Sequence, residues 1–353
     1  MIMCKQKNLL IVFSLFFATM LFQSCKKDDN NISNTPAGDK SALNALIDSV
    51  SNLLNTTVEG NKPGQYGVGS KDALDSTLQL AMNVSANNTY TQQQVDNAAA
   101  NLQRAAVTFN SHLIQEVSVA NLVAFWKFNG NANDSSGNGH NGTLITGWTG
   151  PGDAPVDGGT LPKLVADRFG RSNMAYDFNN AATVEVPYSS ALNPQSFTIS
   201  VWLKRHGTNC NNYFFSLNRW NGYKFQLQCN NFLFLTFHGD DGYHDVDSNP
   251  GVIPDETWTH AVVSYTPGTM KFYINGVLVK TAAVTGTPLT ISKPVHLAIG
   301  NEMAKEDYTI NSSDDYTYYG GDYFIGSLDD IRFYNTALTD AEVLSIYTIE
   351  SSL

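Results

Sequence analysis

Apolar residues repeat along this chain with two different periods, and the change between them falls near Val119. Leu43, Leu46, Ile47, Val50, Leu53 and Leu54 recur at spacings of three and four, as one apolar helical face requires. Asn61-Lys62-Pro63-Gly64 interrupts that face. A second begins near Ser70, with Leu74, Thr77, Leu78, Ala81 and Val84. A third opens at Thr91, where Gln94 completes a Thr-x-x-Gln capping box. Val95, Ala98, Ala99, Leu102, Ala105, Ala106, Phe109 and Leu113 then line it. Three helices with two short loops predict an antiparallel bundle over residues 39–116.

From Val119 the runs shorten and fill with aromatic and β-branched residues: Ala124 to Phe128, Ala175 to Phe178, Phe197 to Leu203, His260 to Tyr265 and Met270 to Ile274. Turn pairs separate them, including Asn129-Gly130, Asn141-Gly142, Pro267-Gly268 and Asn275-Gly276. Many short strands without a helical stretch predict an all-β jelly-roll sandwich over residues 119–350. Only Thr339 to Ile349, with Ala341, Val343, Leu344 and Tyr347, returns to helical spacing.

Three stretches occur in a telling order. They are Phe125 to Gly139, then Trp258 to Val263 continued by Lys271 to Gly276, and finally Ile325 to Leu338. Together they resemble the bacterial form of the laminin-G-like, concanavalin-A-like lectin sandwich. That fold hosts binding modules, adhesins and enzymes, so it leaves function open. The helical block resembles the small FIVAR-type bundles of bacterial surface proteins, through Gly64-Gln65-Tyr66 and the helix from Thr91 to Phe109. That resemblance implies a spacer.

Ahead of both blocks, Lys5 and Lys7 precede a short apolar run, Asn8 to Phe22, which Ser24-Cys25 follows. The run has the size of a secretory h-region rather than of a membrane span. A cysteine directly after such a run resembles a bacterial lipoprotein cleavage site, although Phe22-Gln23-Ser24 departs from the usual Leu-Ala-Gly. Lys26-Lys27-Asp28-Asp29 resembles a surface-export signal of some Gram-negative bacteria. The resemblance implies a signal peptide over 1–24, lipidation at Cys25, a flexible tether to residue 38, and a protein anchored at the cell outer membrane and facing outwards.

Composition narrows the partners. Net charge is −11, and only 15% of residues are charged. With no basic cluster beyond Lys26-Lys27, nucleic acid is excluded as a partner. Acidic polysaccharides are poor candidates too. Of four cysteines, Cys4 leaves with the leader and Cys25 takes lipid, so Cys210 and Cys229 remain as an exported disulfide pair. Strands at Tyr213 to Asn218 and Tyr223 to Gln228, turning at Asn221-Gly222, would bring both sulfurs together.

Three chemistries compete for the sandwich. Asn131, Asn133, Asp134, Asn138 and Asn141 crowd a glycine-rich loop, which suits either a calcium ion (Ca2+) or simple tight turns. The laminin-G resemblance implies calcium held by Asp134 and Asp329, with Asp330 as alternate, plus carbonyls around Asn138 and His140. Sugar binding calls for aromatic platforms beside polar groups. Two loops offer them: Trp220 to Tyr223, and Asp314 to Tyr323 with Tyr316, Tyr318 and Tyr319. Tyr243 and His244 stand in a polar cluster with His238, Asp240, Asp241, Asp245 and Asp247. Hydrolysis would need paired carboxylates. The nearest arrangement, Glu302 and Glu306, lacks the aspartate that this fold's hydrolases place between them, so no catalytic residue is assigned. The expected function is binding of an extracellular glycan. The alternatives are a protein-binding adhesin or assembly component among other surface proteins, and a polysaccharide-degrading enzyme.

Overall fold

The computed structural model describes residues 38–115, 117, 119–151, 154–207, 210–217, 220–308 and 321–352. Three helices come first: α1 (Ser41–Thr56), α2 (Ser70–Ala86) and α3 (Gln92–Ser111). Their facing residues, among them Leu43, Val50, Leu74, Leu78, Val95, Leu102 and Phe109, form a core separate from that of the strands. Tyr66 stacks on Phe109 at 4.2 Å and pins the loop between α1 and α2. Gln94 closes the start of α3 by accepting from the Thr91 backbone at 2.9 Å, the capping box that the spacing predicts.

The strands follow in chain order. The first six are β1 (Leu122–Trp126), β2 (Thr143–Thr146), β3 (Trp148–Thr149), β4 (Val156–Asp157), β5 (Lys163–Val165) and β6 (Ala175–Phe178). Next come β7 (Ala182–Val186), β8 (Phe197–Arg205), β9 (Asn212–Leu217), β10 (Tyr223–Leu227), β11 (Phe232–Gly239) and β12 (Gly242–Val252). The set ends with β13 (Thr259–Thr266), β14 (Thr269–Ile274), β15 (Val277–Ala282), β16 (Leu297–Ile299) and β17 (Gly326–Tyr334), then a helix, α4 (Asp340–Glu350).

An eight-stranded sheet runs β15-β14-β13-β8-β17-β6-β5, with β1 also paired to β17; a seven-stranded sheet runs β12-β11-β10-β9-β16-β7-β2. All pairings within the two sheets are antiparallel. The predicted jelly-roll sandwich is therefore present. Its core lies between the sheets and is rich in rings: Trp126, Phe197, Phe215, Tyr223, Phe225, Phe237 and Phe333 are all buried there.

Turn chemistry sets register locally. Asn275 and Gly276, at φ of 50° and 75°, form the two-residue link that pairs Ile274 with Val277. Gly222 acts differently from the predicted Asn-Gly turn. It has no left-handed φ, but a Cβ there would stand 2.2 Å from the Leu217 carbonyl oxygen, so close approach demands the glycine.

The last helix seals the outer face of the eight-stranded sheet. Val343 and Ile346 of α4 pack with Leu122, Phe125, Val262, Tyr273 and Tyr334 in a second small core of the sandwich. Its Ser345 hydroxyl accepts from the Gln115 backbone at 2.8 Å, so the chain leaving the bundle meets α4 directly.

Candidate functional site

The outward face of the seven-stranded sheet carries a row that is polar except at Ala298. Register places Thr143, Glu185, Ala298, Ser216, Lys224, Thr236 and Asp245 side by side across all seven strands. Alternation explains why. In β10, Tyr223, Phe225 and Leu227 face the core, so Lys224 and Gln226 must face away from it. A bulge opposite Phe225 and Gln226 turns Tyr213 to the same outer side, where its hydroxyl accepts from Lys224 Nζ at 3.1 Å.

These outward polar residues are nonetheless shielded. Ser216 is 1% exposed, Gln226 2% and Lys224 3%. Among the described residues, Ser216 Oγ, Gln226 Oε1 and His238 Nδ1 are buried atoms without a hydrogen-bond partner. All three lie on this one face, on the neighbouring strands β9, β10 and β11. Buried polar atoms are ordinarily satisfied, so three orphans on neighbouring strands of one face stand out.

Aromatic rings border the row. The Lys224 ammonium lies 3.7 Å from the centre of the Trp220 ring. Trp220 meets Tyr243 edge-on at 5.8 Å, and Tyr243 stacks on His238 at 4.3 Å. Tyr243 is 48% exposed, so this end of the row reaches solvent. Burial holds the His238 imidazole below the ordinary histidine value, which keeps it neutral at pH 7. A ring platform above a floor of amide, hydroxyl and imidazole suits a polyhydroxylated ligand.

The structure sorts the residues expected to bind sugar. Trp220 and Tyr243 are brought together. Tyr223 faces the core between the sheets and donates its hydroxyl to the Leu192 carbonyl at 2.9 Å, so it lies on the opposite side of the sheet from this row. His244 points to the other side of β12 from Tyr243, stacking on core Phe237 at 4.7 Å and pairing with Asp241 at 2.6 Å. Both corrections follow from strand period, since neighbouring residues face opposite ways. Tyr316, Tyr318 and Tyr319 lie outside the described residues, as does Cys25. Sequence reasoning passed over Ser216, Lys224 and Gln226, although the alternation in Tyr223-Lys224-Phe225-Gln226-Leu227 was a legible signal. Cys210 and Cys229 form the predicted disulfide just beyond the paired ends of β9 and β10.

The predicted calcium ligands divide into two separate networks. Asp134 Oδ1 accepts from the Phe125 and Ser136 backbones, at 2.9 and 2.8 Å. Its Oδ2 accepts from the His140 backbone at 3.0 Å and the Ser136 hydroxyl at 2.8 Å. Burial would raise its pKa, but these donors outweigh burial and hold it below the usual carboxylate value. Asn138 donates its amide to the Leu122 and Val123 carbonyls, and the His140 carbonyl accepts from the Trp126 indole at 2.8 Å. The Asn-rich loop is thus a clasp on β1 that satisfies itself.

Asp329 and Asp330 face elsewhere. Arg168, from the loop between β5 and β6, reaches both carboxylates at 2.7 Å with its two terminal nitrogens. It also donates to the Glu350 carbonyl of α4. With four donors on Asp134 and an arginine on Asp329 and Asp330, the expected set does not fit one ion.

The carboxylates considered for hydrolysis are also apart in environment. Glu302 is fully buried, whereas Glu306 pairs with His296 at 2.7 Å near the surface.

Residues 178–344 match the Laminin_G_3 family model, described as the concanavalin A-like lectin/glucanases superfamily. Comparison with curated proteins gives no match. Among solved structures, domain 4 of AbnA, a GH43 extracellular arabinanase from Geobacillus stearothermophilus in complex with arabinotriose, is 23% identical with a TM-score of 0.48. That alignment covers 64% of this chain and 98% of the other. The binding domain of Paraclostridial Mosquitocidal Protein 1 is 17% identical with a TM-score of 0.44, over 65% of this chain and 52% of that one. The botulinum neurotoxin serotype G binding domain is 16% identical with a TM-score of 0.46, over 66% and 52%. The alignments thus span about half of each toxin domain. By its family match over residues 178–344 and its paired antiparallel sheets, the chain carries a stretch similar to the concanavalin A-like lectin/glucanases superfamily.

Proposed function

We propose that the sandwich binds extracellular carbohydrate on the outward face of its seven-stranded sheet, and that it binds without turnover. One observation carries this reading: Ser216 Oγ, Gln226 Oε1 and His238 Nδ1 are orphaned on the face that Trp220 and Tyr243 border. Sugar hydroxyls supply the missing partners while a sugar C–H face stacks on a ring. The concanavalin A-like family match supports the same class of ligand. A glycan array probed with the purified chain tests the reading. Gln226→Ala should erase the signals that the wild type gives, with the thermal melt little changed. Silence of the wild type across a broad array defeats the reading, and release of reducing ends from a bound glycan defeats its non-catalytic part.

In this proposal the three-helix bundle is a spacer and Cys25 carries lipid at the outer membrane. The leader pattern supports the anchor. Labelling of cells with a palmitate analogue should mark the wild type and miss Cys25→Ala; labelling that survives the substitution removes the anchor from the proposal.

A further inference from the structure

We propose that this face selects neutral saccharides, through hydroxyl groups that donate hydrogen bonds, and rejects glycans bearing carboxylate or sulfate. The inference rests on the carbohydrate reading and narrows it to a substrate class.

Donor and acceptor chemistry gives the first reason. Gln226 donates its amide nitrogen to Asn211 at 3.4 Å, which leaves the amide oxygen as its orphan. An amide oxygen only accepts, so its partner must donate. His238, neutral by burial, holds an unpartnered ring nitrogen, and Ser216 can rotate to serve either role. A hydroxyl both donates and accepts and so satisfies all three. A carboxylate or sulfate set against Gln226 Oε1 offers only acceptor oxygens, so a charged glycan fits this floor only with its charged group turned elsewhere.

Electrostatics gives the second reason. The solvent-facing rim beside Tyr243 is acidic: Asp240 and Asp241 stand in the turn between β11 and β12, and Asp245 and Asp247 lie on β12. Asp241 pairs with His244 and Asp247 with Lys280, while Asp240 and Asp245 make hydrogen bonds to Thr287 and Thr236. The Lys224 cation lies deep beneath this rim, against the Trp220 and Tyr213 rings. Its charge is therefore directed at groups already in the protein. An anion approaching from solvent meets carboxylates first, in a chain whose net charge is already −11.

The test pairs oligosaccharides of one backbone in neutral and charged forms, such as cello-oligosaccharides against carboxymethylated ones and galactan against polygalacturonate. Each is titrated into the full chain at low and at high salt. The neutral member should bind at least roughly tenfold more tightly, a ratio that shrinks as salt screens the rim. Asp240→Asn with Asp241→Asn should raise affinity for the charged member while leaving the neutral one within about twofold. Those exposed positions leave the buried floor intact, so the readout does not depend on a variant that fails to fold. Equal or tighter binding of the charged member overturns the selectivity and leaves the carbohydrate reading standing. A ratio that ignores both substitutions removes the rim from the explanation and overturns the proposal as argued. Binding of neither member, with silence on the wider array, overturns both.

Discussion

Trp202 donates its indole N–H to the Glu350 carboxylate at 2.8 Å, which ties the middle of the eight-stranded sheet to the last turn of α4. The same carboxylate accepts from Arg332 at 2.6 Å, and its side chain is 2% exposed. Tyr347, one turn earlier, stacks on Trp202 at 5.8 Å. Helix α4 is therefore held by a polar lock set beside its apolar face, and without it the ring surface of β8 and β13 would meet water.

Glu350→Ala should cost about 3–5 kcal/mol, because removing one member of a buried ion pair strands the other. Denaturant unfolding measures this. Glu350→Gln should recover part of the loss, since an amide oxygen can still accept from Trp202. Equal stability of Glu350→Ala and wild type would show that α4 docks by its apolar face alone.

Acid and base should act on this region through Asp329. Burial first, then the neighbouring Asp330, pushes its pKa up to about 8 against the pull of Arg168. In the unfolded chain an aspartate titrates near 3.9. Between about pH 4 and 8 the folded state thus binds more protons than the unfolded one. Stability should fall as pH rises through that window, by at most about 1.4 kcal/mol per unit. Asp329→Asn, which mimics the protonated form, should flatten the slope; a slope identical to wild type would place its origin elsewhere.

Fold was legible because periodicity reports which face is covered. Leu43 to Leu54 and Phe197 to Leu203 declare helix and strand from spacing alone, and the capping pair Thr91 and Gln94 fixes a boundary. The disulfide was legible because hairpin register brings Cys210 and Cys229 to one end. The site was only half legible. Trp220 and Tyr243 stand out as rings in turn-rich sequence, yet Tyr223, equally prominent, faces inwards because one residue along a strand reverses direction. Lys224 and Gln226 look like ordinary surface residues until strand pairing sets them on one shielded outward face. Asp134 is legible as an oxygen ligand in an oxygen-rich loop, but the spacing does not tell that its oxygens accept from the Phe125, Ser136 and His140 backbones.

Asp134→Ala should therefore destabilise the sandwich whether or not calcium is present. Three backbone N–H groups and the Ser136 hydroxyl lose their acceptor, which should cost about 2–3 kcal/mol. Millimolar calcium should leave the wild-type melting temperature where chelator leaves it. A calcium-dependent rise that disappears in Asp134→Ala would restore the ion to this loop.

Trp220 and Tyr223 should separate binding from folding. They stand three residues apart on opposite faces of one hairpin. Trp220 belongs to the ring border of the outward row, where it covers the Lys224 ammonium. Tyr223 sits in the core against Phe197 and Phe333. Trp220→Ala should cost on the order of 1–3 kcal/mol of glycan affinity, the scale for truncating an aromatic anchor, with a modest change in the melt. Tyr223→Phe removes only the hydroxyl that donates to Leu192, so it should lower stability by about 1 kcal/mol and leave glycan affinity unchanged. Titration and denaturant unfolding on both variants give four numbers. Affinity lost in Tyr223→Phe but kept in Trp220→Ala would move the binding surface off this face, because no path from the core side of β10 reaches a ligand except through the sheet itself.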